Sequence, residues 1–114
     1  MTGRDDDERD AVVREFRDTV NLAPAELELW LDTPESRGVG SHPDGDAESV
    51  GHASGRRIVT LLRTRKADLT DDDIAHMRKV IGYVHRHREQ RPHGDTHETP
   101  WRYSLMNWGH DPEH

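Results

Sequence analysis

The apolar residues of this chain fall at helical spacing in short stretches that proline, glycine and aspartate interrupt, which restricts it to a set of short amphipathic helices. Val12, Val13, Phe16 and Val20 share one stripe and predict a helix over about 8–20, with Asp5 to Glu8 at its positive end and Asn21 closing it. A second helix opens at Pro24, where a missing N–H costs nothing, carries Leu27, Trp30 and Leu31, and stops at Asp32-Thr33-Pro34. Ile58, Val59, Leu61 and Leu62 predict a third over about 54–66. Thr70 followed by three aspartates starts a fourth, which the spacing of Ile74, Met77, Ile81 and Val84 carries to about Arg88. Gly82 lies inside it, where a glycine costs roughly 1 kcal/mol relative to alanine, and this predicts a close helix crossing or a nearby ligand. Thr99 as cap, Pro100 as first residue and Gly109 as left-handed stop frame a short terminal helix, with Trp101, Leu105 and Trp108 on the face that docks.

Only 31% of the 114 residues are hydrophobic and 34% are charged, so the core these helices share must be thin. The expected fold is all-α, a single small orthogonal bundle of four or five helices. A disordered acidic head at 1–7 precedes one helical domain over 8–112, and a mobile connector at 34–53, rich in glycine, serine and aspartate, interrupts it. No stretch reads as a signal peptide or a membrane span, which suits a cytoplasmic protein. With no cysteine there is no disulfide framework, thiolate metal site or thiol nucleophile.

The net charge of -7 is unevenly spread. Residues 1–50 hold 5 basic and 14 acidic side chains, 51–91 hold 10 and 5, and 92–114 hold 1 and 4. The basic middle is the natural candidate for nucleic-acid contact. On the fourth helix His76, Lys79, Tyr83 and Arg86 recur at intervals of three and four, and the third helix adds Arg56, Arg57, Arg63, Arg65 and Lys66. Such a pair could cross phosphates, with Tyr83 stacking on bases. The plain alternative is a solvated face whose cations complement the helix dipole.

Nine histidines invite a metal reading, but His85 and His87 lie two apart on a helix and point apart, while His93 and His97 sit in a polar linker. No spacing matches a metal motif, so no metal site and no cofactor are expected. His52 near Ser54 and Gly55, or His110 beside Asp111, could move protons, yet no pattern orients them and no catalytic residue is assigned. In the terminal block Trp101 and Trp108 are expected to close the core, leaving Tyr103, Asn107 and His110 on the outer side for a protein partner.

Three blocks carry a resemblance: Gly51-His52-Ala53-Ser54-Gly55-Arg56 running into Ile58-Val59, His76 to Val84 with Arg86-His87, and Trp101 to Pro112. Over about 12–112 the chain resembles a family of short bacterial, archaeal and fungal proteins of unknown function that are often labelled DNA-binding. Two features depart from that pattern: Ala23-Pro24 stands where a Thr-Pro cap is expected, and the acidic head is this chain's own. The resemblance and the charge together imply a DNA-associated accessory protein that acts by contact and is not an enzyme. The alternative is an adaptor that recognises another protein through the terminal Trp-containing block. The expected partners are therefore DNA or a protein, and no membrane.

Overall fold

In the computed structural model, residues 3–40, 42 and 48–114 are described, and they form six α-helices and one 3-10 turn with no strand among them. The helices are α1 (Gly3–Thr19), α2 (Pro24–Leu31), α3 (Pro34–Gly38), α4 (Val50–Leu62), α5 (Asp71–Arg88) and α6 (Pro100–Asn107), with the turn at Lys66–Asp68. The protein is thus an all-α bundle, with six helices where four or five were expected. Among the described residues no helix is long and apolar enough to cross a membrane.

Local chemistry sets several of the boundaries. Thr70 Oγ1 accepts from the Asp73 N–H at 3.1 Å while Asp73 Oδ2 accepts from the Thr70 N–H at 3.0 Å, a reciprocal cap that satisfies two donors at the start of α5. Thr99 caps α6 by accepting from Arg102 N–H at 3.2 Å, and Pro100 follows as expected. Ala23 has no side-chain acceptor to offer α2. Its own N–H donates to Glu26 Oε1 at 2.8 Å, so half of a cap survives the absence of the threonine.

Other boundaries differ from the expectation. α1 begins at Gly3 rather than near residue 8, so residues 3–7 of the acidic head continue the helix, while residues 1 and 2 lie outside the described residues. Of the connector at 34–53, Pro34–Gly38 is helical behind a Thr33 cap, and residues 41 and 43–47 lie outside the described residues. α4 begins at Val50, not Ser54, because Ser49 Oγ accepts from the His52 N–H at 3.0 Å. It also ends at Leu62, which leaves Arg65 and Lys66 off the helix.

The helices assemble as two main pairs, α1 with α5 and α2 with α4, and α6 touches α2, α3, α4 and α5. The core runs through Phe16, Leu27, Ile58, Met77, Val80, Val84 and Leu105, with Trp101 and Trp108 closing it. Gly55 sits where α4 meets α6, and a Cβ there would lie 2.6 Å from the Asn107 carbonyl oxygen and 2.6 Å from Leu31 Cδ2. Gly109 takes the left-handed conformation at φ 84, and its carbonyl accepts from the N–H groups of Asn21 and Leu22 at 3.0 and 3.2 Å, stitching the end of α6 to the end of α1. Gly82 does not mark a helix crossing. The only atoms near its missing Cβ belong to the guanidinium of Arg86, so no other helix packs against α5 at that point.

Candidate nucleic-acid interface

Most of the basic residues expected to act together are paired with carboxylates of this chain. On α4, Arg56 grips Glu48 through Nε at 2.7 Å and a terminal nitrogen at 2.5 Å, Arg63 grips Glu28 at 2.8 and 3.0 Å, and Arg57 reaches Asp73 at 3.3 Å. Beyond the helix, Arg65 meets Asp68 at 3.1 Å and Lys66 meets Asp10 of α1 at 2.5 Å. Each cation is matched by a carboxylate of this chain, which lowers what the third-helix set could offer to phosphates. The pairs are exposed, so each adds little to stability, but their charges cancel at a distance.

α5 divides its candidates differently. His76 and Tyr83 turn toward the core: Tyr83 stacks on Trp108 with centroids 4.2 Å apart, and His76 meets the same indole at 6.3 Å. Lys79 and Arg86 stay exposed, and Arg78, which the 76-79-83-86 spacing passes over, joins them. The three occupy a solvent arc with Ala75 and Gly82 between them, and no described carboxylate lies within 4.0 Å of any of the three. Arg78 and Arg86 lie eight residues apart, about 12 Å along the axis. The signal for Arg78 was its i, i+4 and i, i+8 spacing to Gly82 and Arg86, which places it at the edge of the buried stripe of Ile74 and Ile81.

The terminal block is turned inward more than its pattern suggested. Asn107 is 1% exposed rather than outward-facing: its Oδ1 accepts from Trp30 Nε1 at 2.7 Å and Ser36 Oγ at 2.5 Å, and its Nδ2 donates to the Ser36 carbonyl at 3.0 Å. Tyr103 is half-buried, tilted against Trp30 at 5.4 Å. His110 Nδ1 donates to the Thr19 carbonyl at 2.8 Å. Asp111 is clasped by Arg102 through two bonds of 3.0 Å, and its backbone exchanges hydrogen bonds with the Asn21 amide.

Possible acid-base groups are also engaged. His52 contacts Glu48 through Nδ1 and the Leu31 carbonyl through Nε2, the latter at 2.7 Å. Sequence spacing gave no hint of the bond between Ser54 Oγ and His76 Nε2, 3.0 Å long and spanning two helices. A serine beside a histidine suggests a nucleophile, but Ser54 is buried, and neither the cavity beside His52 nor the one beside Trp108 is lined by it. Among those residues no group of three or more His, Asp or Glu is arranged to hold a metal ion.

The electrostatics of the histidines have a measurable consequence. Burial, with Arg57 and Lys79 nearby, pushes His76 down to about 4, and burial also lowers His87 and His110. The unfolded chain therefore binds more protons than the folded one below pH 6.5, and stability present above that value is lost as the pH falls toward 4. For His76 alone the loss is at most about 3 kcal/mol. His97, raised by Glu113, works in the opposite sense. Glu48 is held at about 2 by Arg56 and His52, so its contribution is lost only at lower pH. Thermal melts from pH 7.5 to 4.5 should show falling Tm, with a shallower slope in His76→Gln; equal slopes would rule out His76 as the source.

The features together define a small all-helical domain with a cationic arc on α5 that no described carboxylate pairs, and an inward-clamped terminal segment. A family model described as "Protein of unknown function (DUF3140)" matches residues 15–106, and the chain belongs to that family. No curated protein and no solved structure matches it.

Proposed function

We propose that this protein is a DNA-associated accessory protein that acts by contact, through the outer face of α5 rather than through a two-helix surface. The observation that carries this reading is the solvent arc of Arg78, Lys79 and Arg86, which no described carboxylate neutralises in a chain of net charge -7. A span of about 12 Å along a helix meets several phosphates of a duplex, which carries a charge about every 1.7 Å of axis. Ala75, a small exposed residue of the same arc, leaves room for a phosphate backbone beside the helix, while half-buried Gly82 lies under the Arg86 guanidinium, 3.1 Å from where its Cβ would be. Asp71, Asp72 and Asp73 confine the face to the later turns of α5.

The alternative, recognition of a protein through the terminal block, has less to stand on, since Asn107, Trp101 and Trp108 are inside. The reading is tested by mobility shift of duplex and single-stranded DNA across a salt series. Wild type is expected to bind at low salt with a steep salt dependence, and Arg78→Ala/Lys79→Ala/Arg86→Ala to lower the slope of log K against log salt by about 2 to 3. Arg56→Ala/Arg63→Ala should retain that slope. Absence of a shift at low salt, or an equal loss in both variants, would contradict the assignment.

A further inference from the structure

We propose that a cavity of about 300 Å³ at the end of α5 is a binding site for a small phosphate monoester that carries a neighbouring hydroxyl, such as a sugar phosphate. Its walls come from four places in the chain: Arg88 from the last turn of α5, Arg91 and Trp101 from either side of the following linker, Asn21 from the end of α1, and His110 from the terminal block. Residues this far apart meet here only because Gly109 turns the chain back onto α1.

The cavity is cationic and stays so. Neither Arg88 nor Arg91 has a described carboxylate within 4.0 Å, and the guanidinium carbon of Arg91 lies over the Trp101 ring, 5.3 Å from its centroid, a cation–π contact that uses none of its N–H donors. The acid at the rim, Asp111, is held by both bonds to Arg102 and cannot neutralise them. Cations at a helix C-terminus complement the dipole, which amounts to about half a charge. Two arginines exceed that, and the His87 carbonyl at this helix end is already covered by Trp101 Nε1 at 2.7 Å and Gln90 N–H at 3.1 Å.

His110 adds the second element of recognition. Because Nδ1 donates to the Thr19 carbonyl, the neutral ring presents a lone pair at Nε2, which has no described partner. Burial and the charge of Arg88 keep the ring neutral by lowering its pKa. The site therefore asks for anionic oxygens that accept from two guanidinium groups and for one O–H that donates to an imidazole. A phosphate supplies the first and an adjacent sugar hydroxyl the second. Asn21 is fixed by its two bonds to the Asp111 backbone, so the wall is preformed.

These residues are distinct from the outer arc of α5, since Arg88 is turned well away from Arg86 around the helix. The test is titration of the whole chain with ribose 5-phosphate, inorganic phosphate and ribose, followed by calorimetry and by the His110 ring resonances. Ribose 5-phosphate should bind saturably, shift those resonances and raise Tm, and Arg88→Gln and Arg91→Gln should each weaken it about tenfold or more. Lys79→Gln should bind as wild type does, and melts of the ligand-free variants establish that each is folded. No saturable binding of ribose 5-phosphate up to about 10 mM, or equal binding by the folded Arg88→Gln and Arg91→Gln variants, would overturn the site. Equal affinity for inorganic phosphate would overturn the hydroxyl contact to His110.

Discussion

Asn107→Ala is expected to lower stability by about 4 kcal/mol, which at roughly 4 °C per kcal/mol for a chain of this size takes Tm down by about 15 °C. The amide sits within the structure and joins three groups that have no other described partner in reach: the Trp30 indole N–H, the Ser36 hydroxyl and the Ser36 carbonyl. Truncation leaves all three buried or half-buried without it, and opens a cavity besides. The same carboxamide holds α2, α3 and α6 together, so the loss should be cooperative and visible in urea as a lower midpoint. Trp30→Phe removes one of the three bonds and should cost clearly less, and Tyr103→Phe, at the half-buried edge, should cost little. Urea midpoints that place Asn107→Ala within about 1 kcal/mol of wild type would mean that α6 is held by apolar packing alone.

Gly55→Val should be nearly as damaging, by about 4 kcal/mol or more. The first added carbon would meet the Asn107 carbonyl oxygen and Leu31 Cδ2, both at 2.6 Å. The first is backbone and cannot yield cheaply, and the second belongs to a buried core side chain that would have to change rotamer. The added methyl groups deepen the clash, and α6 must move off α4. Gly51→Ala is a milder case, with a Cβ 3.1 Å from Trp108 Nε1. Gly82→Ala runs the other way. Its Cβ meets only the flexible end of Arg86, so helix propensity should stabilise it by roughly 0.5–1 kcal/mol. Urea denaturation of the three variants separates glycines that a helix contact requires from one that it does not; a stable Gly55→Val would show that α6 can shift at little cost.

Much of the helical scaffold was legible in the chain because its determinants are local. The Thr70 cap with Asp73, the Thr99-Pro100 start of α6, the Gly109 stop and the stripes of Phe16 and Met77 each involve residues within a turn or two of one another. The start of α4 was not. Residues up to 53, Gly51 among them, read as connector because glycine is a weak helix former, yet Gly51 and Gly55 face Trp108 and Asn107 at the contact with α6, where a larger residue meets close contacts. Propensity lost there to a packing constraint set by a segment about fifty residues further on.

The candidate site divides along the same line. The sequence by itself determined an all-α bundle, a basic central region and the exposure of Lys79 and Arg86, because helical spacing and charge are properties of neighbours. Only the tertiary structure decided that Arg56, Arg57 and Arg63 are matched by Glu48, Asp73 and Glu28, that Arg78 completes the free arc, and that Asn107 lies inside. The reason is reach: the partners of Asn107 are 71 and 77 residues away, and Arg63 meets a carboxylate 35 residues away, distances at which chain order carries no information about contact.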